Sequence, residues 1–494
     1  MLRLIALRAL LFAMALLLTG SAAAQAMGRD EARLLLVRTS YAATEDEVAQ
    51  FALLSREQAV DRLLSWVQPA AAMPPPAWTA TYDRPQRENL MSRDEREAYR
   101  KEQVRRALDL RSWWFAEMIT TPSPLTERMT LFWHNHFVSA QQKVRIAQLM
   151  FAQNQLLRRH ALGNFRTLLH AIARDPAMLI YLDTAGSRSE APNENFAREV
   201  MELFTLGEGH YSEHDIKEAA RACTGWVVNR DTGTALFRPR LHDQGVKTLF
   251  GQSGRFDMDG MLDLLLEKPE AAEFITAKLW KEFVSPAPNP AEVKRIAAVF
   301  RGANYEIRPL LRALLLSDAF YAEANRGALV KSPVDLLVGT IRAFRFQINE
   351  PAPFVATLRQ LGQDLFNPPN VKGWPGGDTW INSSSLLGRK QILERLFRFG
   401  QRDTSSALRV ADAGITGGMT DAGSGSRSLR LLTGMNGSVE FDSDAWLAAF
   451  RASPDTSRRL AEALLPLPPL QATAAPPSLA GIRQLVLDPT YQLK

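Results

Sequence analysis

Two helix-like segments carry titratable side chains where a helix should be apolar. In Asn193–Gly207, NENFAREVMELFTLG, a helix over residues 196–206 at about 100° per residue puts Leu206, Leu203, Phe196, Val200 and Phe204 on one broad arc, with Glu199 between Leu206 and Leu203. In Glu127–Ala140, ERMTLFWHNHFVSA, the residues Phe132, Met129, Ala140, Trp133 and Phe137 form a similar arc, and His136 projects between Phe132 and Met129. A carboxylate and an imidazole are thus aimed into a core. Burying either alone costs several kcal/mol or forces it neutral, so each needs a polar partner, and the simplest pairing is with each other. His136 and Glu199 are therefore the catalytic candidates.

The same patch offers metal chemistry. Glu199 and Glu202, three residues apart, lie about 60° apart on a helix and can converge on a cation as carboxylates do in bundle metal sites. His242 and Asp243, in a loop after Arg238 and Arg240, can add further ligands. Together His136, Glu199, Glu202, His242 and Asp243 suit a hard or borderline divalent ion, the one cofactor the residues suggest. The bland alternative is a salt bridge to Arg198 or Arg221. No recognised metal-ligand spacing is present.

Other motifs weaken on inspection. His134-Asn135-His136 spells a nuclease motif, yet consecutive residues in one helix send the two histidines about 200° apart, so they cannot share an ion. Asp257-Met258-Asp259-Gly260 fails as a calcium loop, because Gly260 at position six puts Arg255 first and Leu266 twelfth; Asp259 is then expected to cap a helix. Ser383-Ser384-Ser385 follows Asn382 without a glycine elbow and reads as N-capping. Cys223 reads as a small buried thiol. Trp374 and Trp380, around Pro375-Gly376-Gly377, are the candidates for a ligand-binding loop: they could stack on a sugar or polymer, or anchor the loop to the core.

The elements that must position these groups are mainly helical. Thr44 with Glu47 forms a capping box, Glu57–Trp66 continues in helical period, and a charged helix runs from Ser92 to about Ile119. Pro122 and Pro124 end it, and Thr126 is expected to cap the His136 helix. Pro69–Trp78, PAAAMPPPAW, cannot be helical. Two helices follow within 143–172 and another over Ser212–Thr224, while 227–256 has the short runs and turns of a small hairpin region. Apolar stripes at Val293–Phe300, Ile307–Leu315 and Val334–Ile341 are core helices. Leu361–Arg389 is a long ordered loop, and such loops are often functional. The fold class is mainly α: a large multi-helix domain with long ordered loops and at most a small β-hairpin region.

Several stretches together resemble one family. ARLLLVRTSY, LTERMTLFWHNHFV, NENFAREVMELFTLG, ACTGWV, AAEFITAKLWKEFVS, VKSPVDLLV and LFNPPNVKGWPGGDTWINSSSLLGR are similar, in that order, to the bacterial domain-of-unknown-function 1800 family. The resemblance implies an exported, mostly helical bacterial protein of no established activity, often encoded beside a second exported protein. It also implies histidine where this chain has Phe204, in a Glu-x-x-Glu-x-His pattern of which Glu199 and Glu202 remain.

Composition bounds the rest. With 46% hydrophobic and 23% charged residues the 494-residue chain has ordinary globular composition and is long enough for a large core. Residues 1–24 read as a signal peptide: Arg3 and Arg8, an apolar run from Ala9 to Leu18, then small residues around Ala22 to Ala26. That run is shorter than the roughly 20 residues of a spanning helix, and no later segment suits one. With Cys223 alone, no intramolecular disulfide is possible, and stability must come from packing. Lysines and arginines are interleaved with acids, so nucleic acid is not the expected partner. The expected organisation is a main helical domain over 25–402, a Gly/Ser-rich flexible linker over 403–440 and a C-terminal helical segment over 441–494. The leading functional expectation is an exported, periplasmic or extracellular binding or assembly factor acting with a co-exported partner. The alternative is a metal-assisted extracytoplasmic hydrolase with a buried His/Glu site.

Overall fold

The start of several helices is written in their first residues. Thr44/Glu47, Ser55/Gln58, Ser92/Glu95, Ser212/Asp215 and Ser332/Asp335 form reciprocal capping boxes, each satisfying backbone N–H groups that the first turn leaves without a partner. The computed structural model describes residues 25–83, 91–399, 439–451, 455–470 and 477–494. Among them the chain is mainly α-helical, and its strands form three two-stranded antiparallel pairs.

The charged helix spans Arg93–Thr120 and the His136 helix Pro124–His136. Ser123, not Thr126, is the N-cap residue of the latter; Thr126 lies inside its first turn, where its hydroxyl pairs with that of Ser123 at 2.6 Å. The Pro-rich stretch 69–76 is irregular, and the Glu117 carboxylate accepts from the N–H groups of Ala72 and Met73 at 3.0 and 2.6 Å. The helices Ala147–His160 and Phe165–Ala173 are broken at 161–164 as the sequence indicates.

The 226–254 region holds two hairpins rather than one. β1 (Trp226–Val228) pairs with β2 (Ala235–Phe237), and β3 (Lys247–Leu249) with β4 (Gln252–Gly254). A third pair joins β5 (Gln347–Ile348) to β6 (Val439–Glu440). Asp257, not Asp259, caps the next helix by accepting from Gly260 N at 2.9 Å. Asp259 instead accepts from the His170 imidazole at 3.0 Å and pairs with Arg174. At the Ser383–Phe399 helix, Asn382 and Ser385 bond reciprocally at 2.8 and 2.9 Å, which assigns the serine run to capping. Cys223 is a buried free thiol.

One continuous core joins these elements. Trp114, Trp133, Phe137, Phe165 and Phe204 are fully enclosed within it. So is an ion pair: Arg158 donates to both oxygens of Glu127 at 2.5 and 2.9 Å, Trp114 Nε1 adds a third bond at 2.8 Å, and Asn154 takes another guanidinium N–H at 2.6 Å. Both charged groups of that cluster are therefore paired, as burial demands, while Asn154 Nδ2 is buried without a partner.

The C-terminal segment belongs to the same core rather than hanging from it. Leu447, Phe450, Leu460, Leu464, Ile482 and Leu485 are part of the continuous apolar cluster. Trp446 Nε1 donates to Ala343 O at 2.9 Å, and Lys494 N to Leu329 O at 2.7 Å. Residues 1–24 and 403–438, read above as signal peptide and linker, lie outside the described residues.

Candidate functional site

The segment expected to be one α-helix over 196–206 changes character in the middle. Asn195–Glu199 is α-helical and Val200–Thr205 is a π-helical turn, with Leu206 N donating to Met201 O at 2.9 Å, five residues back. Gly207 ends it at φ +83°, where a Cβ would also press on the Phe274 ring at 3.1 Å. A helix end leaves carbonyls without partners in the helix, and here two of them, Leu203 O and Phe204 O, are caught by side chains from other elements.

His136 comes from the last residue of its helix and Lys278 from the helix Pro269–Phe283. Lys278 Nζ donates to Leu203 O at 3.0 Å and to His136 Nδ1 at 3.0 Å, while His136 Nε2 bonds Phe204 O at 3.1 Å. A carbonyl oxygen only accepts, so the imidazole proton sits on Nε2 and Nδ1 is the acceptor for the amine. Burial, and then the Lys278 ammonium, push the His136 pKa well down and keep the ring neutral. Burial, and then Lys281, lower that of Lys278 to about 8. Both ring nitrogens of His136 are thus engaged, and its partner is Lys278 rather than Glu199.

This pair opens into a cleft of about 480 Å³. Phe132, Trp374 and Trp380 line it together with charged groups. Arg128, Lys278, Lys281, Lys372 and Lys494 line it against only two carboxylates, Glu282 and Asp335. Those carboxylates are consumed locally: Arg128 bonds Glu282 at 2.7 Å and also Asp335, and Lys494 Nζ donates to Asp335 at 2.7 Å. Burial opposes ionisation of Asp335, but the Arg128 and Lys494 cations outweigh it and hold its carboxyl far below the usual range. The surplus in the cleft is therefore positive. Lys281 and Lys372, on the rim, are exposed.

The tryptophan loop is stitched to the His136 helix by Asn135. Its Oδ1 accepts from Trp374 N at 2.7 Å and its Nδ2 donates to Trp374 O at 3.3 Å. Gly373, at φ +83°, permits the approach, since a Cβ there would lie 2.3 Å from Asn135 Oδ1. Trp374 and Trp380 are 4% and 8% exposed, so they serve first as anchors and present only an edge to the cleft. His134 packs between Trp114, Phe366 and Trp374, and burial alone lowers its pKa to about 3.

The remaining candidates sit elsewhere. Glu202 accepts from Tyr211 OH at 3.0 Å and lies 4.0 Å from Lys372. Glu199 is half-buried; burial, and then the Glu202 charge, raise its pKa. His242 Nδ1 donates to Thr224 O at 3.0 Å, and Asp243 takes Arg221 at 2.7 and 3.1 Å, which ties the two hairpins to the Glu213–Ala222 helix. Neither borders the cleft. Among the described residues no group of three or more His, Cys, Asp and Glu side chains gathers closely enough to hold a metal ion. The five proposed ligands thus divide among a cleft wall, a rim and a hairpin junction. Phe204, where the resemblance implies histidine, buries its ring edge-on to Phe137 at 5.2 Å and offers the site its carbonyl alone.

Sequence reasoning missed Lys278. A signal was there: it follows Ala271 by seven residues, which places a lysine on the line of a buried alanine at the edge of an apolar arc.

Residues 34–493 match the model of the family described as "Protein of unknown function (DUF1800)", and the chain belongs to that family. No curated protein and no solved structure matches it. Among the described residues no helix is long and apolar enough to cross a membrane.

Proposed function

We propose, with membership of this family as the premise, that the protein is a binding protein whose cleft takes an anionic ligand. The observation that supports this most directly is the charge imbalance: five cationic side chains face two carboxylates, and both carboxylates are already paired within the wall. A cleft of one sign with low-dielectric aromatic walls concentrates the opposite charge. Export and a co-exported partner form part of the same reading, on the strength of the 1–24 segment and the family resemblance. Fractionation of the native host would place the protein, and capture with the tagged chain would identify the partner. The metal-assisted hydrolase is the weaker alternative, because the proposed ligands His136, Glu199, Glu202, His242 and Asp243 do not meet.

Citrate is a suitable probe, read by tryptophan fluorescence because Trp374 and Trp380 edge the cleft. Binding should weaken as salt rises. Reversing the two rim charges, Lys281→Glu with Lys372→Glu, should weaken it at least tenfold without unfolding the chain, since both side chains are exposed. Citrate affinity unchanged by that double substitution would rule the cleft out as an anion site.

A further inference from the structure

We propose that Lys278 is a nucleophilic amine that condenses with the carbonyl carbon of an anionic oxo compound, such as a 2-oxo acid or an aldehyde acid, held in the cleft. The inference rests on the anion-binding reading and names the chemistry of that site.

The geometry of the amine carries it. A lysine nitrogen has three positions besides its own Cε. On Lys278 one N–H is donated to Leu203 O and a second to His136 Nδ1, both at 3.0 Å. The third position is left to the cleft that Lys278 lines. When the ammonium loses that third proton, the lone pair is exposed toward the ligand space while the other two hydrogens stay held. Among the described residues no carboxylate lies within ion-pair distance of Lys278 to fix its charge, in contrast to Lys494, which Asp335 holds at 2.7 Å. Lys281 and Lys372 are exposed rim cations, Lys372 lying 4.0 Å from both Glu202 and Glu208, and are suited to attract a carboxylate rather than attack a carbon. His136 reinforces the arrangement. Its Nε2–H is tied to Phe204 O, so Nδ1 remains an acceptor, and a neutral acceptor leaves the amine free to deprotonate. Burial, and then the Lys281 charge, lower the proton affinity of the amine to about 8, so a neutral fraction exists near pH 7.

The step balances without a further reactant. The ammonium gives one proton to solvent, and its lone pair forms the N–C bond as the carbonyl π electrons move to oxygen. That oxygen takes up the proton. A second proton passes from nitrogen to the same oxygen, which leaves as water while the nitrogen lone pair closes the C=N bond. One cation and one carbonyl become one protonated imine and one water. The imine keeps a single N–H, for which Leu203 O and His136 Nδ1 are both in place.

The test uses the full chain, glyoxylate as the probe and cyanoborohydride to reduce any imine to carboxymethyl-lysine, followed by peptide mapping. The expected result is one carboxymethyl group per chain on Lys278, suppressed by citrate and lost in Lys278→Arg. Label scattered over exposed lysines, with Lys278 unmodified in the wild-type protein, overturns the proposal whatever the variant does. If citrate still binds in that case, the imine fails and the anion site stands; if citrate does not bind either, both readings fall.

Discussion

His136 Nδ1 and Lys278 Nζ lie 3.0 Å apart, and each also caps a carbonyl at the end of the π turn, Phe204 for the histidine and Leu203 for the lysine. Three separate elements are therefore locked by three hydrogen bonds at the floor of the cleft. Replacing His136 by Leu leaves the Phe204 carbonyl and one Lys278 N–H without partners in a buried setting, at a cost of about 1–3 kcal/mol. Urea unfolding should show that loss. A His136→Asn variant, which keeps both a donor and an acceptor, should recover part of it.

The Glu127–Arg158 pair is a different case, because it has no opening to solvent. Removing either partner strands the other charge, so Arg158→Met or Glu127→Gln should each destabilise the fold by about 3–5 kcal/mol. The double variant should cost less than the sum of the two, since the second change removes the stranded charge. Thermal melts of the three proteins check this.

Acid sensitivity should trace in part to His134, beside His136, whose pKa burial also depresses. The His134 pKa falls from 6.5 to about 3 on folding because burial penalises the imidazolium. A group depressed in this way stabilises the folded state fully above its unfolded pKa. The contribution is lost as pH falls from about 6.5 toward about 3, because the unfolded chain takes up the proton first. His134→Phe, placed among Trp114, Phe366 and Trp374, should make the stability profile less steep across that window, with the His136 contribution remaining, while leaving stability near pH 7.5 little changed.

Glu199 makes the opposite prediction. Burial and the Glu202 charge raise its pKa, so the folded protein loses stability as pH rises from the ordinary carboxylate range toward the raised value, and the full cost persists above it. Glu199→Gln should therefore raise the melting temperature near pH 7, and the gain should shrink as pH is lowered and the wild-type carboxyl protonates. A drop in stability near pH 7, with metal lost from the purified protein, would restore Glu199 as a ligand.

The capping box at Thr44, the start of the charged helix at Ser92 and the core stripes from Val293 to Ile341 were legible because local sequence decides them. The inward turn of His136 was legible for the same reason, since helical period alone sets direction. Its partner was not. The π turn rotates the residues after Glu199 off the α-helical wheel, and which carbonyls it frees depends on a hydrogen-bond pattern that side-chain periodicity does not report. Lys278 lies 142 positions from His136, and Lys494 lies 159 from Asp335, so the charge balance of the cleft exists only once distant helices meet. The placement of the C-terminal segment was hidden likewise, because composition marks a linker but not what lies beyond it.

The link between Asn135 and Gly373 tests how the cleft keeps its shape. Gly373 sits at φ +83°, and a methyl group there would stand 2.3 Å from Asn135 Oδ1 and 2.6 Å from Asn135 O. Gly373→Ala therefore carries two penalties, a left-handed backbone for a residue with a Cβ and a collision with backbone that cannot swing away. About 1–3 kcal/mol is the expected cost. Gly377→Ala is the control: its φ of +57° imposes the first penalty, but nothing lies within 4 Å of the added methyl, so its effect should be smaller. The collision acts on the same contact that Asn135 makes to both sides of the Trp374 peptide. Asn135→Ala should therefore loosen the loop in the same sense, and the double substitution with Gly373→Ala should cost less than the two added together. Trp374 emission should shift to the red in each loosened variant as the ring gains solvent, and citrate should bind more weakly, because the aromatic lining of the cleft no longer stands at a fixed distance from Lys278. Weaker citrate binding with an unshifted tryptophan spectrum would mean that the loop contributes to the site by something other than this link.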